Sequence, residues 1–203
     1  MNAPSAVSHH FDGKEIRFQN EESGTAGSDG TLTIEAKSRT NYFVNPDNEP
    51  AQLNAPFLEF DVPDQIFTLQ ARVRTPLRSI YDAGGLIVRV GTSWAKLVVE
   101  LSPFEKPTIV SVVTKETSDD SNGEEVADDW IFLRLHRNHG VYAFHWSLDG
   151  KVWKLARYFG LGLPDEQVCM GMIAQAPMGG PILVEFDEIK LVPGVTLDVR
   201  NGS

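Results

Sequence analysis

Trp94, Lys96 and Glu100 fall at even spacing in the run "SWAKLVVELS". Side chains alternate across an extended strand, so these three share one face while Ala95, Leu97, Val99 and Leu101 share the other. The chemistry open to such a set is ligand binding. An aromatic plane stacks on the C–H groups of a sugar, and charged side chains bond its hydroxyls. Arg89 and Arg134, in neighbouring predicted strands, would supply bidentate donors. The plainer alternative makes Lys96 and Glu100 an exposed ion pair worth under about 1 kcal/mol, with Trp94 as rim packing.

Other constellations carry less. Glu59, Asp61 and Asp64 in "EFDVPD" mimic the Glu-x-Asp-x-x-Glu of concanavalin-like glucanases, where retaining chemistry needs two carboxyls roughly 5–5.5 Å apart. Pro63 interrupts the ladder before Asp64, and "EFDEI" (Glu185, Asp187, Glu188) has the same look without stronger support. The acidic run from Glu116 to Asp129 holds many calcium-type oxygens, but Asp119, Ser121 and Gly123 match only part of a calcium loop and no helix flanks them. It reads as a solvated, mobile loop. His136, His139 and His145 lack metal-ligand spacing, two of them lying in strands on alternating faces, and no Ser–His–Asp context is present. His9 and His10 read as solvent-exposed. No catalytic residue, metal or cofactor is assigned.

The elements that must position these residues are short strands. "TLTIEAK", "PFLEFDV", "QIFTLQARVRT", "CMGMIAQAP" (opened by "PDEQV") and "PILVEFDEIKLVP" alternate or run apolar. "NPDNEP" is a loop, and "NHG" and "LDG" are hairpin turns. In "SLDGKVW", Asp149 bonds its own turn, Gly150 supplies a positive φ, and Trp153 closes the turn by packing. No segment sustains a helical period. Regular short strands predict an all-β sandwich or jelly roll. Residues 1–10 read as an N-terminal tail, 11–195 as one domain and 196–203 as a C-terminal tail.

Composition fits a globular domain: 203 residues, 41% hydrophobic and 23% charged. A formal charge of −10 argues against nucleic acid and anionic membrane as partners. The lone Cys169, in an apolar run, reads as a buried thiol and excludes an internal disulfide. With no signal-peptide pattern and no apolar run of membrane-spanning length, the expected location is cytoplasmic.

Several motifs in order resemble a domain-of-unknown-function family with a concanavalin A-like lectin/glucanase fold, whose fungal members are described as enolase regulators. The matching positions are Asp82, Gly85-Leu86, Trp94, Lys96, Glu100, Val112-Val113-Thr114, Ser118-Asp119, Arg134, Ser147, Asp149-Gly150, Trp153 and Arg157, with looser fits around Asn41 and in "AQAP". The chain departs from that pattern at Val98, where the family often has Gly, and at Asp120, where it has Trp. The resemblance implies a sandwich of two antiparallel sheets with one concave face. The expected function is a non-catalytic binding module for a carbohydrate or sugar-like metabolite, using Trp94, Lys96, Glu100, Arg89 and Arg134. The alternatives are a protein-interaction or regulatory protein and a glycoside hydrolase.

Overall fold

The structure, a computed structural model, describes residues 9–11, 13–20, 24–26, 30–47, 49–162, 166–195 and 198–203. Residues 1–8 of the predicted tail and Pro164-Asp165 of "PDEQV" lie outside the described residues. The described chain is all strand, turn and loop. In order it forms β1 (His9–Phe11), β2 (Lys14–Gln19), β3 (Gly24–Ala26), β4 (Leu32–Ala36), β5 (Tyr42–Phe43) and β6 (Gln52–Leu53). There follow β7 (Phe57–Asp61), β8 (Ile66–Arg74), β9 (Ala83–Val90), β10 (Ser93–Leu101), β11 (Pro107–Thr114) and β12 (Ser118–Glu125). The last five are β13 (Trp130–Asn138), β14 (Val141–Ser147), β15 (Lys154–Gly160), β16 (Val168–Gln175) and β17 (Ile182–Pro193).

Two antiparallel sheets stack face to face, as the alternating sequence predicts for a sandwich. The first has eight strands in the order β1-β2-β7-β16-β9-β10-β11-β12, and the second seven, β15-β14-β13-β8-β17-β4-β3. Between them lies one core. Leu86, Val88, Ala95, Leu97 and Val99 of the first sheet meet Leu69, Val73, Leu133, Leu135, Phe144 and Phe186 of the second. This is the inner face read from Ala95, Leu97 and Val99, and burying it drives the stacking.

A two-stranded ribbon, β5-β6, lies over the opposite face of the first sheet. Its Tyr42 joins Phe57, Ile87, Trp94, Val98, Val110, Val112 and Ile173 in a second, smaller apolar cluster. That outer face is therefore partly roofed by chain from fifty residues upstream.

The acidic run corrects the expectation of a mobile loop. Ser118–Glu125 is a strand paired with β11, with Val112 opposite Asp120 and Val113 opposite Asp119. It is the edge strand of the sheet, and all but Ser118 are exposed. Charged side chains suit an edge, where they discourage pairing with another chain. At the other predicted turn, Asp149 Oδ1 accepts from the Lys151 and Val152 amides at 2.8 and 2.9 Å, and Gly150 has φ 69°.

Candidate functional site

The even positions of β10 face the ribbon. Register carries that face across the sheet: Lys96 lies between Ile87 of β9 and Val112 of β11, and Val112 lies beside Asp120 of β12. Where the ribbon stops, a cavity of about 340 Å³ opens. Lys96, Glu100 and Gln175 line its floor, Asn41, Gln52 and Asp120 its polar wall, and Phe43 and Tyr81 its apolar side. Its volume is at the small end of ligand pockets.

Lys96 is fully buried, 1% exposed. Its Nζ donates to Tyr42 O at 2.9 Å and to Gln175 Oε1 at 2.7 Å, both neutral oxygens. Among the described residues no carboxylate lies within 4.0 Å of it. The Trp94 ring centre is 5.8 Å from the amine. Burial lowers the affinity of this amine for a proton, with Glu100 and Asp120 opposing the shift. Glu100, also buried, is pushed the other way by burial, with Lys96 opposing. Gln175 stands between them: its Nε2 lies 3.5 Å from Glu100 Oε2 and donates to Tyr81 O at 3.1 Å. Tyr81 sits at the rim with φ 68°, a left-handed backbone that costs a non-glycine residue roughly 1–2 kcal/mol. Its N–H is pinned to Leu101 O at 2.8 Å.

Of the five residues singled out from sequence, Lys96 and Glu100 come together in this cavity. Trp94 lies beneath Tyr42, edge to face with ring centres 4.7 Å apart, and is 4% exposed, so its ring is core rather than an open platform. Arg89 points to a separate shallow depression and grips Glu59 with two bonds of 2.8 and 2.9 Å. Arg134 belongs to the other sheet. There it lies flat on Trp153, 3.6 Å from the ring centre, and donates to Gly202 O at 2.6 Å. Asn41, Gln52, Tyr81 and Gln175 were not read as site residues. The loose matches around Asn41 and in "AQAP" signal Asn41 and Gln175, while no sequence motif singles out Gln52 or Tyr81.

The other candidates are accounted for by packing and pairing. Glu59 is held by Arg89, and Asp61 by Arg17 at 2.7 Å. That guanidinium holds the Asp61 carboxyl at about 2. Glu185 and Asp187 pair with Arg74 and Arg72. Burial pushes the Cys169 thiol up to about 12, so it is not a nucleophile near neutrality. His136 and His145, expected on alternating faces, share the outer face of the second sheet, because the hairpin register sets His145 opposite Arg134. Among the described residues no group of three His, Cys, Asp or Glu side chains could hold a metal ion. Among the described residues no helix is long and apolar enough to cross a membrane.

Comparison with known proteins agrees with this architecture. Regulation of enolase protein 1 of Saccharomyces cerevisiae is 30% identical over 166 residues, covering 80% of this chain and 81% of its own. A crystal structure of a functionally unknown S. cerevisiae protein superposes with a TM-score of 0.81 at 25% identity, over 89% of this chain and 97% of that one. A xylan β-1,4-xylosidase from Bacillus halodurans matches with a TM-score of 0.62 at 13% identity, over 80% of this chain and 32% of the enzyme. That last likeness is one of fold, a β-sandwich. Residues 18–193 match the family described as "Protein of unknown function (DUF1349)", and the chain belongs to that family.

Proposed function

We propose that this protein is a cytoplasmic binding module whose outer-face cavity takes a small carbohydrate or sugar-like metabolite. The carrying observation is the lining of the cavity: amide side chains and carboxylates on one side, Phe43 and Tyr81 on the other. This is the mixture that bonds hydroxyls while covering C–H faces. Glu100, Asp120 and the amides bond hydroxyls, Lys96 holds the Gln175 amide from the cavity floor, and Tyr81 covers the C–H face in place of Trp94. With Glu49 and Asp120 on its wall and Lys96 as its one basic lining residue among the described residues, the cavity favours neutral over anionic ligands.

The test is thermal unfolding with methyl glycosides and polyols, which carry no aldehyde. A ligand at a hundred times its Kd stabilises by about 2.7 kcal/mol, a shift of several degrees. The shift is expected to vanish in Asn41→Ala, and a flat melt across the whole set would sink the proposal.

A second reading, regulation of a partner protein, is favoured by the name of the 30% identical yeast relative. It gains from the exposed Met178 beside the cavity and Phe104 on the β10–β11 turn. Retention of an enolase by the immobilised chain, lost on Met178→Asp, would support it.

A further inference from the structure

We propose that Lys96 captures aldehydes covalently and reversibly as an imine, so that the cavity selects open-chain reducing sugars or related hydroxyaldehydes. This rests on the reading of the cavity as a ligand site.

A neutral amine has two N–H bonds and one lone pair; an ammonium has three N–H bonds and no lone pair. Lys96 Nζ meets two acceptors, Tyr42 O at 2.9 Å and Gln175 Oε1 at 2.7 Å. No third acceptor and no carboxylate within 4.0 Å is found among the described residues. Both protein acceptors are neutral oxygens, so no carboxylate holds the amine as an ammonium by direct pairing, and the side chain forms part of the cavity floor. A fully buried lysine without an ion pair is rare, and removing such an amine from water is how imine-forming lysines are made nucleophilic at neutral pH. The direction of the burial shift on Lys96 agrees.

Glu100 supplies the proton transfers from the far side of the Gln175 amide. In its protonated form, which burial favours, the chemistry balances. The Nζ lone pair forms a bond to the carbonyl carbon, and the carbonyl π pair moves to oxygen, which takes the Glu100 proton. One nitrogen proton then passes back to the Glu100 carboxylate. Glu100 delivers it to the hydroxyl, the C–O bond breaks, and water leaves as the nitrogen lone pair forms the C=N bond. Amine, aldehyde and carboxylic acid thereby become iminium, carboxylate and water, and hydrolysis reverses every step. The Trp94 ring favours the cation formed.

The experiment uses the full chain with D-glyceraldehyde and cyanoborohydride at neutral pH, followed by peptide mass mapping of all eight lysines. Reduced adduct is expected at Lys96 at least about tenfold faster than at the exposed lysines, because more of a buried amine is unprotonated. Lys96→Arg should carry no adduct there. Glu100→Gln should still unfold cooperatively but label Lys96 more slowly, with an altered pH profile. Adduct spread over the exposed lysines with Lys96 unmodified overturns the proposal. If methyl glycosides shift the melt while Lys96 stays unmodified, sugar binding survives and imine capture falls. If Lys96 is modified while no glycoside or polyol binds, imine capture stands and the broader sugar reading falls.

Discussion

Gln175 Oε1 accepts from Lys96 Nζ at 2.7 Å, while the same amide donates through Nε2 to the Tyr81 carbonyl. One side chain thus satisfies a buried amine and holds a left-handed turn at the mouth of the cavity. Replacing it with the near-isosteric Gln175→Leu leaves the amine one acceptor short. Such a buried unmet group costs about 1–3 kcal/mol. The expected loss in urea unfolding is about 2 kcal/mol, and a change below about 0.5 kcal/mol would show that the amine finds another partner.

Trp94 separates the two readings of the outer face. As a member of the small apolar cluster under Tyr42, its truncation to Ala should cost about 3–5 kcal/mol. A surface stacking residue would cost under about 1 kcal/mol. Chemical denaturation decides, and the small value would mean that the ribbon does not cover this face in solution.

Glu59 is 2% exposed and depends on Arg89, with Gln19 donating at 3.0 Å. Arg89→Met removes the main partner of a buried carboxylate and should destabilise by about 3 kcal/mol. Adding Glu59→Gln removes the stranded charge and should restore most of the loss. If the double variant is no better than the single one, the cost lies in packing against Phe57 rather than in charge.

His136 gives the fold a predictable acid response. It is fully buried, bonds Thr68 through Nδ1 at 2.8 Å, and has no partner for Nε2 among the described residues. Burial, with His145 and Arg134 adding repulsion, lowers it from 6.5 to about 4. The unfolded chain therefore binds the proton more tightly, and stability falls as pH drops from about 6.5 toward 4. One group contributes up to about 3 kcal/mol over that window. Glu100, pushed up by burial, contributes the opposite slope over the same window, so the measure is a difference: urea midpoints of the native chain should fall relative to those of His136→Asn as pH drops from about 6.5 to 4. An equal slope in both would show that His136 does not carry the response.

The strand pattern was written in the sequence because alternation is a local property. Leu32 and Ile34, or Ala95, Leu97 and Val99, announce a buried face wherever they pair, and Asp149-Gly150 announces its turn. β12 was hidden because its composition is that of a loop. Its backbone is held by hydrogen bonds to β11, which ignore side-chain polarity. What alternation cannot say is what lies over the second face of a strand. Trp94 and Lys96 are two residues apart on one face of β10, yet one is roofed by Tyr42 and the other opens into the cavity, and the ribbon's end sets that boundary. The sequence offers Arg134, in a nearby predicted strand, as a donor to the Trp94 face. The strand order puts them in different sheets, and only the packing of residues distant in sequence decides which side chains can meet.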